Sequence, residues 1–375
     1  MPTYSLPGRK LEPDGARAPP APPRFSLAVQ AYAMTPLAGR RILLIGMGFY
    51  DYEKVIADEF RRLGADVHVE DERAPQDRGW QALVRARLPG SAAARLSRHH
   101  AGLLERSRRS GRIDYVVVIK GALLDEAFLR SLRALHPAAV LISYQWDSMT
   151  RFPELIARQA LFDRVLTFDH ADAAAHPRFI LRPTFFRPEL LAARPGRQLD
   201  LCFVGWLHHD RLKQVEALRE QAVDLGLSAF FYLFTGVRTG LELQLRGRGK
   251  DIHMRTLPFA RYARKIAASR VIVDLPHPLQ TGLTMRAAEA VGTGKKLLTT
   301  AVSVQAYDLY RPENVAVMDA VTMQLDTEFL AAPPTALPAE IVDRYRLRTW
   351  ALDVVGLTKP AAFVAGDGVD RPSRG

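Results

Sequence analysis

Two series of continuous apolar runs, separated by one Pro- and Arg-rich stretch, constrain this 375-residue chain more than any other feature. The first series is RILLIG (41–46), ADVHVED (65–71), DYVVVIKG (114–121), AAVLISYQWD (138–147), DRVLTFD (163–169) and RFILRP (178–183). Runs rich in Val, Ile and Leu without strict alternation are strands covered on both faces. Between them lie stretches of helical periodicity, such as YEKVIADEFRRLG, which ends on a glycine suited to a helix C-terminus. The pattern stops in FFRPELLAARPGRQLD (185–200) and restarts with DLCFVG (200–205), SAFFYLF (228–234), VIVDL (271–275), KKLLTT (295–300) and ENVAVMD (313–319). Strands alternating with helices predict parallel, doubly wound sheets.

The predicted architecture is α/β, with two Rossmann-like doubly wound parallel-sheet domains facing a cleft. Residues 1–38 read as a Pro-rich lead-in expected to be disordered, 39–184 as the N-terminal domain and 185–199 as a linker. Residues 200–340 read as the C-terminal domain, 341–358 as a terminal helix placed to cross back to the first domain, and 359–375 as a disordered tail. Ligands of open parallel sheets bind beyond the carboxyl ends of the strands, so two such rims would face one cleft.

Composition narrows the class. A hydrophobic share of 48% and a charged share of 25% are those of a globular protein. The single cysteine, Cys202, lies inside an apolar run and reads as a buried thiol, which rules out a disulfide framework. No apolar stretch approaches the roughly 20 residues that span a bilayer. The first 23 residues carry seven prolines and no apolar signal core, so the expected location is cytoplasmic. The net charge is +12, and residues 85–112 hold eight arginines against one glutamate. The simplest reading there is a solvated basic helix pair. The alternative is peripheral contact with anionic headgroups of the inner membrane or with a phosphorylated acceptor. Zinc-finger spacing and aromatic–basic surface strands are missing from the sequence, so no specific nucleic-acid partner is predicted.

Four stretches could carry chemistry. GMGFYDYEKV begins like a dinucleotide fingerprint with Gly46 and Gly48, but Asp51 stands where the third glycine belongs, after bulky Phe49 and Tyr50. Glu70 or Asp71 as a ribose carboxylate would keep a dehydrogenase in play. A glycine rim open to an acceptor sugar is the preferred reading, and a tight strand-to-helix turn the structural one. In QWDSM, Asp147 ends a strand and suits either a general base or a helix N-cap. Lys120, ending another strand, suits a phosphate contact or a helix cap.

The third stretch, FVGWLHHDRLK, offers Gly205 for close backbone approach and His208 as a donor-side loop residue. His208, His209 and Asp210 diverge on an irregular turn and have no third cluster, so no metal is predicted. The fourth, HPLQTGLTMRAAEAVGTGKKLLTT (277–300), places His277, Thr281, Gly282, Leu283 and Thr284 at the expected start of a helix, where free N–H groups favour a diphosphate. Arg286, Lys295 and Lys296 add positive charge. Glu289 lies inside that helix between MRAA and AVG, and burying it without a partner is unfavourable. Ribose hydroxyls would provide one; pairing with Arg286 or exposure to water would also do so.

In this order the stretches resemble a family. EAVGTGKKLLTT resembles the glutamate–alanine–glycine–strand element of the C-terminal domain of GT-B glycosyltransferases, with Glu289 at the position of the ribose-holding glutamate. Many retaining members carry a second glutamate eight positions earlier, which is Thr281 here, and the proline common before the strand is Lys296. DYVVVIKG, SYQWDSM, FDRVLTFDHAD, DLCFVGWLHHDR, the 277–300 stretch and YRLRTW are similar to recurring elements of CgeB-like and capsular or lipopolysaccharide biosynthesis glycosyltransferases, across roughly residues 40 to 355. The resemblance implies a metal-independent enzyme with no cofactor. It would move a hexose-type sugar from a nucleotide-sugar on the C-terminal domain to a saccharide or lipid-linked acceptor on the N-terminal one. Asp147 is then the candidate base; Gly46, Gly48 and Lys120 lie on the acceptor side; Gly205, His208, His277, Thr281, Gly282, Leu283, Thr284, Arg286 and Glu289 bind donor. A nucleotide-sugar epimerase and a non-catalytic nucleotide-sugar-binding protein remain as alternatives on the same fold.

Overall fold

The structure is a computed structural model that describes residues 35–48, 51–75, 89–208 and 210–364. Nearly all of the Pro-rich lead-in, Phe49, Tyr50, the start of the basic segment, His209 and the tail from residue 365 lie outside the described residues.

The first unit is a parallel sheet of β1 (Arg41–Gly46), β2 (Asp66–Asp71), β3 (Tyr115–Ile119), β4 (Val140–Gln145), β5 (Arg164–Thr167) and β6 (Phe179–Leu181), in spatial order β2-β1-β3-β4-β5-β6. Its helices are α1 (Tyr52–Arg62), α2 (Pro89–Arg109), α3 (Glu126–Leu135) and α4 (His170–Ala175). Alternate residues of each strand serve opposite faces. Ile42, Leu44, Val117 and Ile142 pack under α1, while Leu43, Ile45, Val116 and Val118 pack under α3. Burial on both sides is why the strands read as unbroken apolar runs.

The second unit contains β7 (Leu199–Trp206), β8 (Ala229–Phe234), β9 (Ile252–His253), β10 (Ser269–Asp274), β11 (Lys296–Thr299) and β12 (Val315–Val317). All are parallel, in the order β12-β11-β10-β7-β8-β9. Counted from β7, this is the 3-2-1-4-5-6 order of dinucleotide-binding sheets, and its switch point falls between the carboxyl ends of β7 and β10. Helices α5 (Arg211–Asp224), α6 (Val237–Leu245), α7 (Phe259–Ala268), α8 (Met285–Thr293) and α9 (Thr327–Ala331) flank it. The fold is thus α/β, two Rossmann-like units with parallel sheets.

The chain ends with α10 (Ala339–Arg344) and α11 (Leu347–Val355), and α11 belongs to the core of the first unit. Trp350 is fully buried there, 4.8 Å from the Tyr144 ring and 4.9 Å from Phe185. Arg182 and Asp353 form a buried ion pair at 2.8 Å beside it, and the Phe186 amide donates to the Tyr345 carbonyl at 3.0 Å. Breaking a buried pair by removing one partner typically costs 3–5 kcal/mol, so this clasp fixes the second crossing firmly.

One local expectation is corrected. The described part of the basic segment is one 21-residue helix, α2, instead of a helix pair. Several of its arginines have carboxylate partners: Arg106 grips Glu70 with two bonds of 2.8 and 2.7 Å, and Arg108 and Arg109 both donate to Glu105. Among the described residues no helix is long and apolar enough to cross a membrane.

Candidate functional site at the facing sheet rims

At the switch point of the second unit two arginines meet. Arg211 opens α5 and Arg286 lies in the first turn of α8, both at helix starts where the dipole disfavours a cation. Gly205 lies between them. A Cβ on Gly205 would stand 2.8 Å from Phe203 Cζ, 3.1 Å from Arg286 Nη2 and 3.3 Å from Arg211 Nη1, so glycine keeps room for the Phe203 ring and both guanidinium groups. Arg286 donates to the Val204 carbonyl and, at 3.2 Å, to Asp274, which is itself buried. Arg211 donates to the Leu275 carbonyl at 2.7 Å and the Trp206 carbonyl at 2.8 Å, bridging the ends of β10 and β7. Among the described residues its hydrogen-bond partners are carbonyl oxygens only. Burial, and the adjacent Arg286, push its pKa down to about 9, which still leaves it charged at neutral pH.

Glu289, one turn further along α8, is 2% exposed. Its carboxylate accepts a hydrogen bond from the Tyr262 hydroxyl of α7. Burial pushes its pKa up to about 7, against the opposing pull of the Tyr262 bond and the Arg286 and Arg187 guanidinium groups. Arg187, from the segment joining the units, is also buried. Its guanidinium lies 3.6 Å from the Phe259 ring centroid and 5.8 Å from that of Tyr52, so it is placed between the two units. Nη2 donates to Glu189 at 2.6 Å, whereas Nε and Nη1 have no hydrogen-bond partner among the described residues.

Trp206 lies beside this cluster, 48% exposed and edge-on to Phe234 at 5.0 Å. An exposed indole on a ligand-facing rim offers a flat surface on which a nucleobase can stack. The His208 and His277 rings face each other 5.8 Å apart on the neighbouring loops. Among the described residues no group of His, Cys, Asp and Glu is arranged to hold a metal ion.

The expected diphosphate grip at residues 281–284 has other partners. Helix α8 begins at Met285, so Gly282 and Leu283 precede it, and the Thr284 hydroxyl caps it by accepting from the Ala287 amide at 3.4 Å. Asp169 of the first unit is fully buried and accepts from both the amide, at 3.0 Å, and the hydroxyl of Thr281. A Cβ on Gly282 would come within 2.5 Å of Phe168. Thr184 donates to the carbonyls of Leu283 and Thr284 at 3.3 Å. These groups hold the units together, and the two buried arginines, Arg211 and Arg286, lie beside Gly205 instead, with Asp274 as the carboxylate paired to Arg286.

The first unit's rim also departs from expectation. Gly46 does not present bare backbone, because a Cβ there would lie 2.4 Å from Glu53 Cγ, and Glu53 accepts the Met47 amide at 3.0 Å. Gly48 takes a positive φ of 60° and makes room for the Asp71–Arg73 pair. Asp147 pairs with Lys120 at 2.7 Å and Arg151 at 2.8 Å, and Gln280 of the second unit donates to it at 3.4 Å. Lys120 is a non-glycine residue at φ 66°, a conformation that costs roughly 1 kcal/mol or more and is concentrated at functional sites. Glu72, the residue after β2, is fully buried with Oε1 unpartnered among the described residues, and burial pushes its pKa up to about 7.

Neither a protein-family model nor a curated protein sequence matches this chain. Among solved structures, the UDP-GlcNAc 2-epimerase from Methanocaldococcus jannaschii aligns with 85% of this chain and 99% of its own, at 10% identity and a TM-score of 0.48. The E. coli heptosyltransferase WaaC with ADP aligns with 81% and 98%, at 12% identity and a TM-score of 0.36. A glycosyl transferase of family 9 from Veillonella parvula aligns with 84% and 98%, at 10% identity and a TM-score of 0.34. These are likenesses of chain path.

Proposed function

We propose that the protein is a GT-B-type glycosyltransferase that moves a sugar from a nucleotide-activated donor to a saccharide or lipid-linked acceptor in surface polysaccharide assembly. The observation that carries this reading is the excess of positive charge at the switch point, where buried Arg211 donates only to carbonyl oxygens and one carboxylate, Asp274, serves both it and Arg286. A diphosphate placed beside Gly205 would supply the remaining counter-charge, and charge-assisted bonds to phosphate are the strong class of hydrogen bond. Glu289 would exchange its Tyr262 bond for ribose hydroxyls, Trp206 would stack the base, and Arg187 would direct its two unpaired N–H groups toward the donor.

On the acceptor side, Asp147 would take the proton of the attacking hydroxyl. Its two cations must then shift toward the leaving diphosphate, whose developing charge would draw Lys120 away. Cations redirected onto a leaving phosphate would take over the stabilisation that a metal gives elsewhere.

The test is product analysis with a panel of sugar nucleotides, each offered with and without glycan or lipid acceptor. The expected result is nucleotide release and a glycosylated acceptor only when both substrates are present. An isomerised sugar nucleotide from donor alone would replace the proposal with an epimerase. Binding with no turnover would replace it with a carrier of nucleotide-sugars.

A further inference from the structure

A cavity of about 520 Å³ opens at the amino-terminal ends of β7 and β8, the opposite end of the sheet from the donor rim. Arg261, Arg264 and Lys265 of α7 face it, and Arg197 from the joining segment contributes a fourth cation. Spacings of three and four residues put the three α7 side chains on one helical face. Tyr262, which bonds Glu289, lies on another part of the same helix. Phe230 forms an aromatic wall, with the Lys265 ammonium 4.2 Å from its ring centroid.

No carboxylate lines this cavity, and none of the four cations has an ion pair among the described residues. Nearby cations of the same unit are paired: Arg219 with Asp251, Arg248 with Glu216, and Arg270 with Asp200 at 3.2 Å. Asp200, which bonds the lining residue Ser228, is occupied by Arg270 and by the Ser228 amide and hydroxyl. Arg197, Arg261 and Arg264 are exposed and Lys265 is half-buried, so solvent screens part of their mutual repulsion, and an anion between them relieves the rest. The volume matches pockets that hold a small organic molecule rather than a lone ion.

We propose that this cavity is a second ligand site that binds a phosphate ester, either the phosphate of a soluble sugar phosphate or that of an anionic lipid headgroup. Arginine's planar fork suits phosphate oxygens, and the Phe230 wall suits the carbon skeleton attached to them. The site is separate from the donor cleft, so its occupation leaves Arg211, Arg286 and Glu289 free.

The test uses the full chain with two probes, glycerol 3-phosphate in calorimetry and phosphatidylglycerol vesicles in co-sedimentation, with phosphatidylcholine vesicles as reference. Arg261→Ala/Arg264→Ala is compared with wild type and with Arg98→Ala/Arg238→Ala, which removes the same charge elsewhere from exposed positions. Loss of at least tenfold in affinity for either probe, confined to the pocket variant, supports the proposal. Loss for glycerol 3-phosphate alone identifies a soluble phosphate ester, and loss for vesicles alone identifies a headgroup. Equal binding by pocket and control variants, or no binding by wild type, overturns it.

Discussion

Replacing Glu289 by glutamine separates two roles that one carboxylate would play. Burial raises this group from 4.5 to about 7. The folded protein therefore holds the proton more tightly than the unfolded chain. Its contribution to stability is fully present below pH 4.5 and is lost as the pH rises through 7. At ~1.4 kcal/mol per pH unit of displacement, the raised pKa costs the folded state about 3 kcal/mol at pH 8, where the group is ionised, and about 1 kcal/mol at pH 5, where folding takes up a proton. Glutamine can still accept from Tyr262 and carries no charge. Glu289→Gln should therefore gain about 2 kcal/mol over wild type between pH 5 and pH 8, read from urea midpoints by tryptophan fluorescence. Nucleotide binding should move the other way. A carboxylate that accepts two ribose hydroxyls must be ionised, so wild-type affinity should rise from pH 6 to pH 8 with a proton released near neutrality. The variant should bind at least tenfold more weakly, as expected for losing roughly 1.5–3 kcal/mol of hydrogen bonding to a charged group. A stability difference that does not change with pH would refute the burial argument. Unchanged nucleotide affinity would refute the ribose role.

Three other outcomes follow from the same geometry. Asp147→Asn should abolish sugar transfer in a product assay while leaving donor affinity within about twofold, because the donor groups lie on the other unit. Asp169→Ala removes the α4 cap and both Thr281 bonds, so it should lower stability by about 2–4 kcal/mol in chemical unfolding, with Asn retaining part of this. Transfer assayed in excess chelator should proceed at its normal rate, since the proposed phosphate partners are guanidinium groups and the Lys120 ammonium; a collapse in rate would require a metal in the mechanism.

The sheets were legible because burial on both faces leaves no polar alternation in runs such as RILLIG and DYVVVIK. Glu289 was legible for a related reason, as an acid set among small apolar residues is either exposed or partnered, and its partner proved to be Tyr262, 27 residues away. The glycines were ambiguous. Gly46 and Gly205 each keep room for side chains of their own unit, Glu53 in one case and Phe203 with two arginines in the other, and a one-dimensional reading cannot tell that from room for a ligand. Arg211 was missed altogether because its carbonyl partner Leu275 is 64 residues downstream. A signal did exist: an arginine in the first turn of a helix opposes the dipole and implies acceptors nearby. The fate of Thr281 and Gly282 depended on Asp169 and Phe168, which reach them only when the two units meet.

The most direct test of the central claim is a structure of the full chain bound to a nucleoside diphosphate. The account predicts diphosphate oxygens within hydrogen-bond reach of Arg211 and Arg286 beside Gly205, with the ribose hydroxyls on Glu289. A nucleotide held elsewhere, with Glu289 still bonded to Tyr262 and the switch point empty, would contradict it.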